Sequence, residues 1–248
     1  SSNLQTVLNT SVAGDTVWVS SGIYQPTTTS GYSLPNNIKV FGGFNGTESS
    51  FSQRDFKTNI TTFSNNMGYV FQFQNLDNST VLDGFIITGS TATAIYIFNS
   101  FSIINNCIFR NNSSSAYGGA VQINSNSSSK PIFNDCIFES NSGQYGGAIF
   151  ANTNFVLNKC IFNNNTSSYW GGAIYYIGDG TTADISIVNC LFTNNTATNN
   201  GGAIGYDDAP TGTFKVVNST FYNNSSANGG VLSVTYWDSY PNVNPEIS

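Results

Sequence analysis

Five stretches of the chain read alike. They are CIFRNNSSSAYGGAVQI from Cys107, CIFESNSGQYGGAIFA from Cys136, CIFNNNTSSYWGGAIYY from Cys160, CLFTNNTATNNGGAIGY from Cys190 and STFYNNSSANGGVLSV from Ser219. Their paired glycines open at Gly118, Gly146, Gly171, Gly201 and Gly229, which sets spacings of 28, 25, 30 and 28 residues. A period of this size marks a solenoid, in which one repeat is too small to bury its apolar face and does so only by stacking on its neighbours. A helical solenoid would need amphipathic runs of about ten residues or more. Here the apolar residues come instead in short bursts rich in Ile, Val and Phe, bounded by Asn, Ser and Gly. GGAIYY (171–176), DISIV (184–188) and CLF (190–192) are the bursts of one period. Three short strands per coil with polar corners between them describe an all-β chain wound as a parallel β-helix, of roughly eight or nine coils at this period.

Stacking gives the aligned columns a physical meaning. Each repeat keeps a Phe and, three residues on, an Asn: Phe109/Asn112, Phe138/Asn141, Phe162/Asn165, Phe192/Asn195 and Phe221/Asn224. Equivalent residues of hydrogen-bonded parallel strands lie about 4.8 Å apart. At that spacing the rings can fill the core as a stack, and the asparagines can form an amide ladder along a corner. The glycine pair suits a tight corner that needs a positive φ or close backbone approach. A phosphate-cradling loop is the weaker reading, since no helix follows. Cys107, Cys136, Cys160 and Cys190 share one column, with Ser219 in the fifth copy. Two-residue alternation puts each Cys on the same face as its Phe, and buried free thiols are the expectation there. Disulfides between coils are the alternative in an oxidising compartment. Spacings of 29, 24 and 30 residues between these cysteines offer no close C-x-x-C pair, so no metal site is expected.

The front of the chain, residues 1–100, lacks the repeat and is expected to supply an N-terminal cap and irregular coils of the same domain. Ser2 or Asn3 is placed to N-cap a short helix whose Leu4, Val7 and Leu8 share a face and cover the open end. Strands are expected in GDTVWVSSGIY (14–24), IKVFGGF (38–44), YVFQF (69–73), TVLDGFIITG (80–89), AIYIF (94–98) and SIINNCIF (102–109). The stretch 45–60, with Arg54 and Lys57, reads as a functional loop or an ordered excursion. The repeats occupy 101–236. Residues 237–248 read as a tail or the start of a further coil, and a chain cut mid-repeat or docked to another domain is expected there. At the other end Ser1 opens directly on domain-like sequence, as in a processed or excised chain.

Two groups of phrases each carry a resemblance. Alternation of GGA-Ile/Val with Phe-x-x-Asn resembles the repeat of the polymorphic outer-membrane proteins, secreted bacterial β-helix proteins that act largely as adhesins. GDTVWVSSGIY, IKVFGGFNGTESSFSQRD and LDGFIITG resemble the opening of right-handed parallel β-helix repeat proteins of the pectin-lyase-like kind. The resemblance covers nearly the whole chain and implies a right-handed coil, export, and an extracellular or cell-surface location. The membrane-inserting barrel that the outer-membrane proteins carry is not part of this sequence.

Composition then limits what such a solenoid can do. Only 8% of residues are charged, the net charge is −6 and there is no histidine. Typical domains carry about 25% charged residues, so neutral Asn, Ser, Thr and Gly must wet this surface. Seven Lys plus Arg give no basic footprint, which argues against nucleic acid. No apolar run approaches the roughly 20 residues of a membrane span. Without histidine the usual general base and commonest metal ligand are gone, and no cofactor is implied. Pectin-lyase-like folds include many polysaccharide lyases and hydrolases, so catalysis must be judged by residues. Two carboxylates about 5–9.5 Å apart would be required for glycoside hydrolysis. The candidates are the loop residues Asp179, Asp207, Asp208 and Asp238, with Asp179 and Asp207 both following a GGA-Ile strand. Lys159, Lys215 and Arg110 read as solvated positions rather than a lyase's base, and no catalytic constellation forms.

Binding has positive support. The residues before the glycine pairs are Tyr117, Tyr145, Trp170, Asn200 and Asn228, with Tyr169 beside the third. Three successive coils thus stack aromatic faces of the kind that contact sugar rings or proteins, although such rings also cover corners by packing on one another. Carbohydrate, a host or matrix surface, and further domains or neighbouring chains are the expected partners. Filament formation through an uncapped end is a third reading. Sequons at Asn45, Asn59, Asn78, Asn126, Asn165 and Asn218 would carry glycans in a secreted eukaryotic protein.

Overall fold

The computed structural model describes residues 4–125, 129–178, 182–207, 211–235 and 246–247. Parallel strands stack into three long sheets. The first sheet has nine strands, from Thr16–Ser20 through Val81–Asp83, Ile103–Asn105 and Thr211–Val217 to Glu246–Ile247. The second has eight, from Gly22–Tyr24 to Thr220–Tyr222, and the third eight, from Tyr32–Ser33 to Leu232–Thr235. A short fourth sheet of Ser142–Tyr145, Thr166–Trp170 and Thr196–Ala197 lies between the second and third in chain order.

The repeat columns coincide with the ladder registers. Phe109, Phe138, Phe162, Phe192 and Phe221 are register partners on the second sheet. Their rings stack at 4.7, 4.6, 4.7 and 4.8 Å between centroids, within 7° of parallel. Asn112, Asn141, Asn165, Asn195 and Asn224 form the amide ladder. The backbone N–H and side-chain amide of each donate to the Oδ1 of the next, at 2.9–3.1 Å, and the same amide reaches back to a carbonyl one coil earlier, as Asn165 does to Phe138. A buried ladder side chain is thus fully partnered, which keeps a polar column from costing stability.

Several long front segments are bent rather than straight. SIINNCIF splits into Ile103–Asn105 and Ile108–Arg110 around Asn106, whose φ is 49°. TVLDGFIITG splits in the same way at Gly84, φ 81°, and GDTVWVSSGIY becomes Thr16–Ser20 and Gly22–Tyr24. A single left-handed residue turns the chain from the first sheet to the second, and the same device (Asn111, Ser140, Asn164, Asn194, Asn223) turns it out of the second. Asn tolerates this conformation better than other non-glycine residues, which accounts for much of the chain's asparagine. At the glycine corner Gly146, Gly171, Gly201 and Gly229 have φ of 65–70°. The following glycine is needed for space: a Cβ on Gly172 would lie 2.0 Å from the Gly202 carbonyl oxygen.

The cap forms over Leu4–Thr10. Leu4 and Leu8 are buried, but Val7 is 40% exposed, so the covering face is narrower than the spacing predicts. Gln5 explains how the helix holds the open end: its amide donates to the Ser33 carbonyl and accepts from the Ser33 N–H, closing the edge of the third sheet. Ser2 and Asn3 lie outside the described residues. The excursion 45–60 is ordered and carries a short 3-10 turn, Phe51–Gln53. Arg54 anchors it by a buried ion pair to Asp83 at 2.6 Å and a bond to the Gly42 carbonyl, with its guanidinium over Phe41, Phe51 and Phe56.

All four cysteines are free and buried in one column. Burial pushes the Cys107 thiol up to about 12, and the neighbouring Cys160 sulfur together with burial raises Cys190. At the far end Leu232–Thr235 continues the third sheet, and Glu246–Ile247 pairs with Lys215–Val216. Tyr236 and the intervening tail lie outside the described residues.

Candidate recognition surface

The aromatic residues converge on the outer face of the third sheet. Alternation along its strands sends one column outward: Gln72, Tyr96, Gln122, Phe150, Tyr175, Gly205 and Ser233. Phe150 and Tyr175 form a buried floor, 6% and 3% exposed. The fourth sheet and its glycine corner bring the wall down onto it. Tyr145 and Trp170 are register partners at the strand ends, and Gly146 and Gly171 then turn sharply into the third sheet. Tyr145 sits at the centre, 6.2 Å from Tyr117, 5.3 Å from Tyr169, 6.0 Å from Trp170 and 5.5 Å from Tyr175 between ring centroids. Tyr117 packs on Phe150 at 4.4 Å. Tyr117 and Tyr169 remain exposed, whereas Tyr145 and Trp170 are half-buried. The rings therefore do both things the sequence allowed: they pack on one another and present aromatic edge and face to solvent.

Towards the N-terminus the surface opens into a groove of about 440 Å³ lined by Tyr69, Tyr96, Tyr117, Gln122, Thr93 and Ser114. Among the described residues none that lines it is charged. Hydroxyls, one amide and aromatic rings are a set suited to neutral, hydroxyl-rich ligands, which offer both apolar faces and hydrogen-bonding rims.

Among the proposed acids, Asp179, Asp208 and Asp238 lie outside the described residues. Asp207 is 1% exposed and accepts a hydrogen bond from the Tyr175 hydroxyl at 3.1 Å. Tyr175 reaches it by lying across Gly205, where a Cβ would stand 3.0 Å from the ring. Asp207 thus acts as a positioning group for the floor and does not stand on an open loop as its sequence context suggested. Lys159 and Arg110 are exposed, as expected, Lys159 at a left-handed corner and Arg110 at the end of the strand Ile108–Arg110. Among the described residues no group of three or more acidic or sulfur ligands could hold a metal, and no helix is long and apolar enough to cross a membrane. Of the sequons, Asn165 is fully buried with its amide committed to the ladder, so it cannot accept a glycan in the folded chain. Asn126 lies outside the described residues.

Phe150, Tyr175, Tyr69 and Tyr96 are the residues that sequence reasoning missed. For the first two the signal was present: the residue after GGA-Ile in the aligned repeats faces outward by alternation, and it reads Phe in one copy and Tyr in the next.

No curated protein and no solved structure matches the chain. The family model described as a right handed beta helix region matches residues 77–244. With its three stacked parallel sheets, the chain belongs to the right-handed β-helix family.

Proposed function

We propose that this chain is a non-catalytic recognition module, secreted or displayed at a cell surface, that binds carbohydrate along the outer face of the third sheet. The observation that carries this reading is the uncharged aromatic surface running from Tyr69 and Tyr96 to Tyr145, Tyr169 and Trp170 on a rigid ladder. Flat rings held at fixed spacing stack on sugar faces with little ordering cost on the protein side. The net charge of −6 favours neutral glycans over polyuronates. The resemblance of the GGA-Ile/Phe-x-x-Asn repeats to those of polymorphic outer-membrane proteins supports an adhesive role. Titration of neutral oligosaccharides and of polygalacturonate into the wild type and a Tyr117→Ala/Tyr169→Ala variant tests the reading. Binding of the neutral probe that falls at least about 10-fold in the variant, a loss of about 1.4 kcal/mol, is the expected result. Undiminished binding would sink it, as would release of shortened sugars that stops in Asp207→Asn, which would make the chain an enzyme.

A further inference from the structure

The outer face of the second sheet carries a different kind of surface. Ile86, Ile108, Ile137, Ile161 and Leu191 are register partners in five successive coils and all point outward. Ile86 is 9% exposed, and the other four are half-buried. Beside this stripe runs the column of left-handed corner residues Asn106, Asp135, Lys159 and Asn189. Asp135 and Lys159 are exposed and occupy consecutive corners. Among the described residues the ion pairs are Arg54–Asp83 and Lys130–Asp184, so Asp135 and Lys159 do not pair with each other.

We propose that this face binds a second copy of the chain, packed antiparallel about a two-fold axis that runs along the strand direction between the Ile137 and Ile161 coils. Such an axis reverses the order of the coils and keeps each column opposite itself. Asp135 then meets Lys159 of the second copy, and Lys159 meets its Asp135. Ile137 faces Ile161, Ile108 faces Leu191 and Ile86 faces Thr220. Tyr222, 70% exposed in the single chain, comes over Thr88. A groove of about 510 Å³ runs along this stripe from Phe56, Lys57 and Ile60 past Ile86 and Ile108 to Asp135 and Ile137, and takes the copy's coils from Lys159 and Ile161 to the last. Charge and obstruction select this register. An axis through the Asp135 coil would set Asp135 against itself. An axis one coil nearer the N-terminus would pair Arg110 with Glu139 but drive the Phe56–Ile60 wall into the Leu191 coil. An interface of a few short strands belongs to the small, reversible class.

Sedimentation equilibrium of the chain from about 1 µM to 1 mM tests this, with dissociation expected on the order of 10–100 µM. Asp135→Lys and Lys159→Asp each create two like-charge contacts per pair and are expected to weaken association at least about 10-fold. The double variant restores both contacts in reverse and is expected within about 3-fold of wild type. Each replacement is a residue type the adjacent corner already carries at φ of 52–53°, so the fold is kept. A wild type that stays monomeric throughout overturns the proposal. So does a double variant as weak as either single one, or loss on Arg110→Glu with none on Lys159→Asp. The glycan surface lies on another sheet, so failure of either reading leaves the other standing.

Discussion

The front coils and the repeat coils reach the same architecture by different means. From Cys107 onward the Phe and Asn columns repeat the same residue type from coil to coil, and identical groups satisfy one another: Phe on Phe, Asn amide to Asn carbonyl. Before Cys107 there is no such repetition. Phe63 meets Phe71 edge-on at 87° and Phe85 obliquely at 39°, Ser90 takes the ladder position and donates its backbone N–H to Asn112 Oδ1, and Gly84 and Gly89 stand at the left-handed corners. An anchored loop with a buried ion pair covers the outside. Periodic contacts are interchangeable and spread their energy over many coils. Contacts between unlike groups are unique, so a single loss there has no neighbour to compensate it.

The sharpest way to break that contrast is at Arg54. Arg54→Met removes the countercharge of the Asp83 carboxylate, which is as buried as its partner and keeps only the Asn106 amide as a donor, and releases the 45–60 loop; a loss of about 3–5 kcal/mol is expected in chemical denaturation. Hydrogen exchange should rise in residues 39–64 first, and a uniform rise along the whole ladder would show that the two regions unfold as one. In the repeats, Asn165→Ala leaves the buried Asn141 backbone N–H without its acceptor and takes one bond each from the Asn141 amide, the Phe138 carbonyl and Asn195 Oδ1, and about 3 kcal/mol should be lost. Asn224→Ala, at the ladder's end, should cost only about 1 kcal/mol by the same measurement, because fewer buried groups are stranded. Equal losses at the two positions would mean that the ladder has no interior.

The cysteine column gives a pH test. The Cys107 thiol is raised in the folded chain to about 12, so the native state holds its proton more tightly than the unfolded state does. Its contribution is complete below the unfolded value of about 8.5 and is lost as pH climbs towards 12, at up to about 1.4 kcal/mol per pH unit. All four thiols of the column are raised, so stability measured between pH 8 and 11 should fall more steeply than one thiol accounts for, and Cys107→Ala should make the fall shallower by that one thiol's share without abolishing it. Smallest of all, Tyr117→Ala and Tyr169→Ala should each shift stability by under about 1 kcal/mol, since both rings are exposed, while impairing glycan binding.

Legibility followed the same division. The period, the three bursts per coil and the Phe, Asn and Cys columns were readable because a stacked repeat must present the same residue to itself in every coil. In the front, the bends at Asn106 and Gly84 were hidden inside what looked like continuous strands, because a one-residue left-handed corner leaves the two-residue alternation on either side intact. The aromatic wall was half visible. Tyr117, Tyr145, Tyr169 and Trp170 stand beside the glycine pairs in the sequence, whereas their floor, Phe150 and Tyr175, comes from the next strand of the coil.

The sequence alone determined that this chain winds into a parallel β-helix and which side chains stack inside it, because both follow from periodicity and burial. Only the tertiary structure decided what the outside can do. It turned Asp207 from a loop acid into a buried support for Tyr175, laid the 45–60 loop against the first sheet through Arg54, and set an aromatic surface and an aliphatic stripe on different faces. Those outcomes depend on corner angles and loop paths, which are set by contacts between residues distant in the chain and leave no periodic trace.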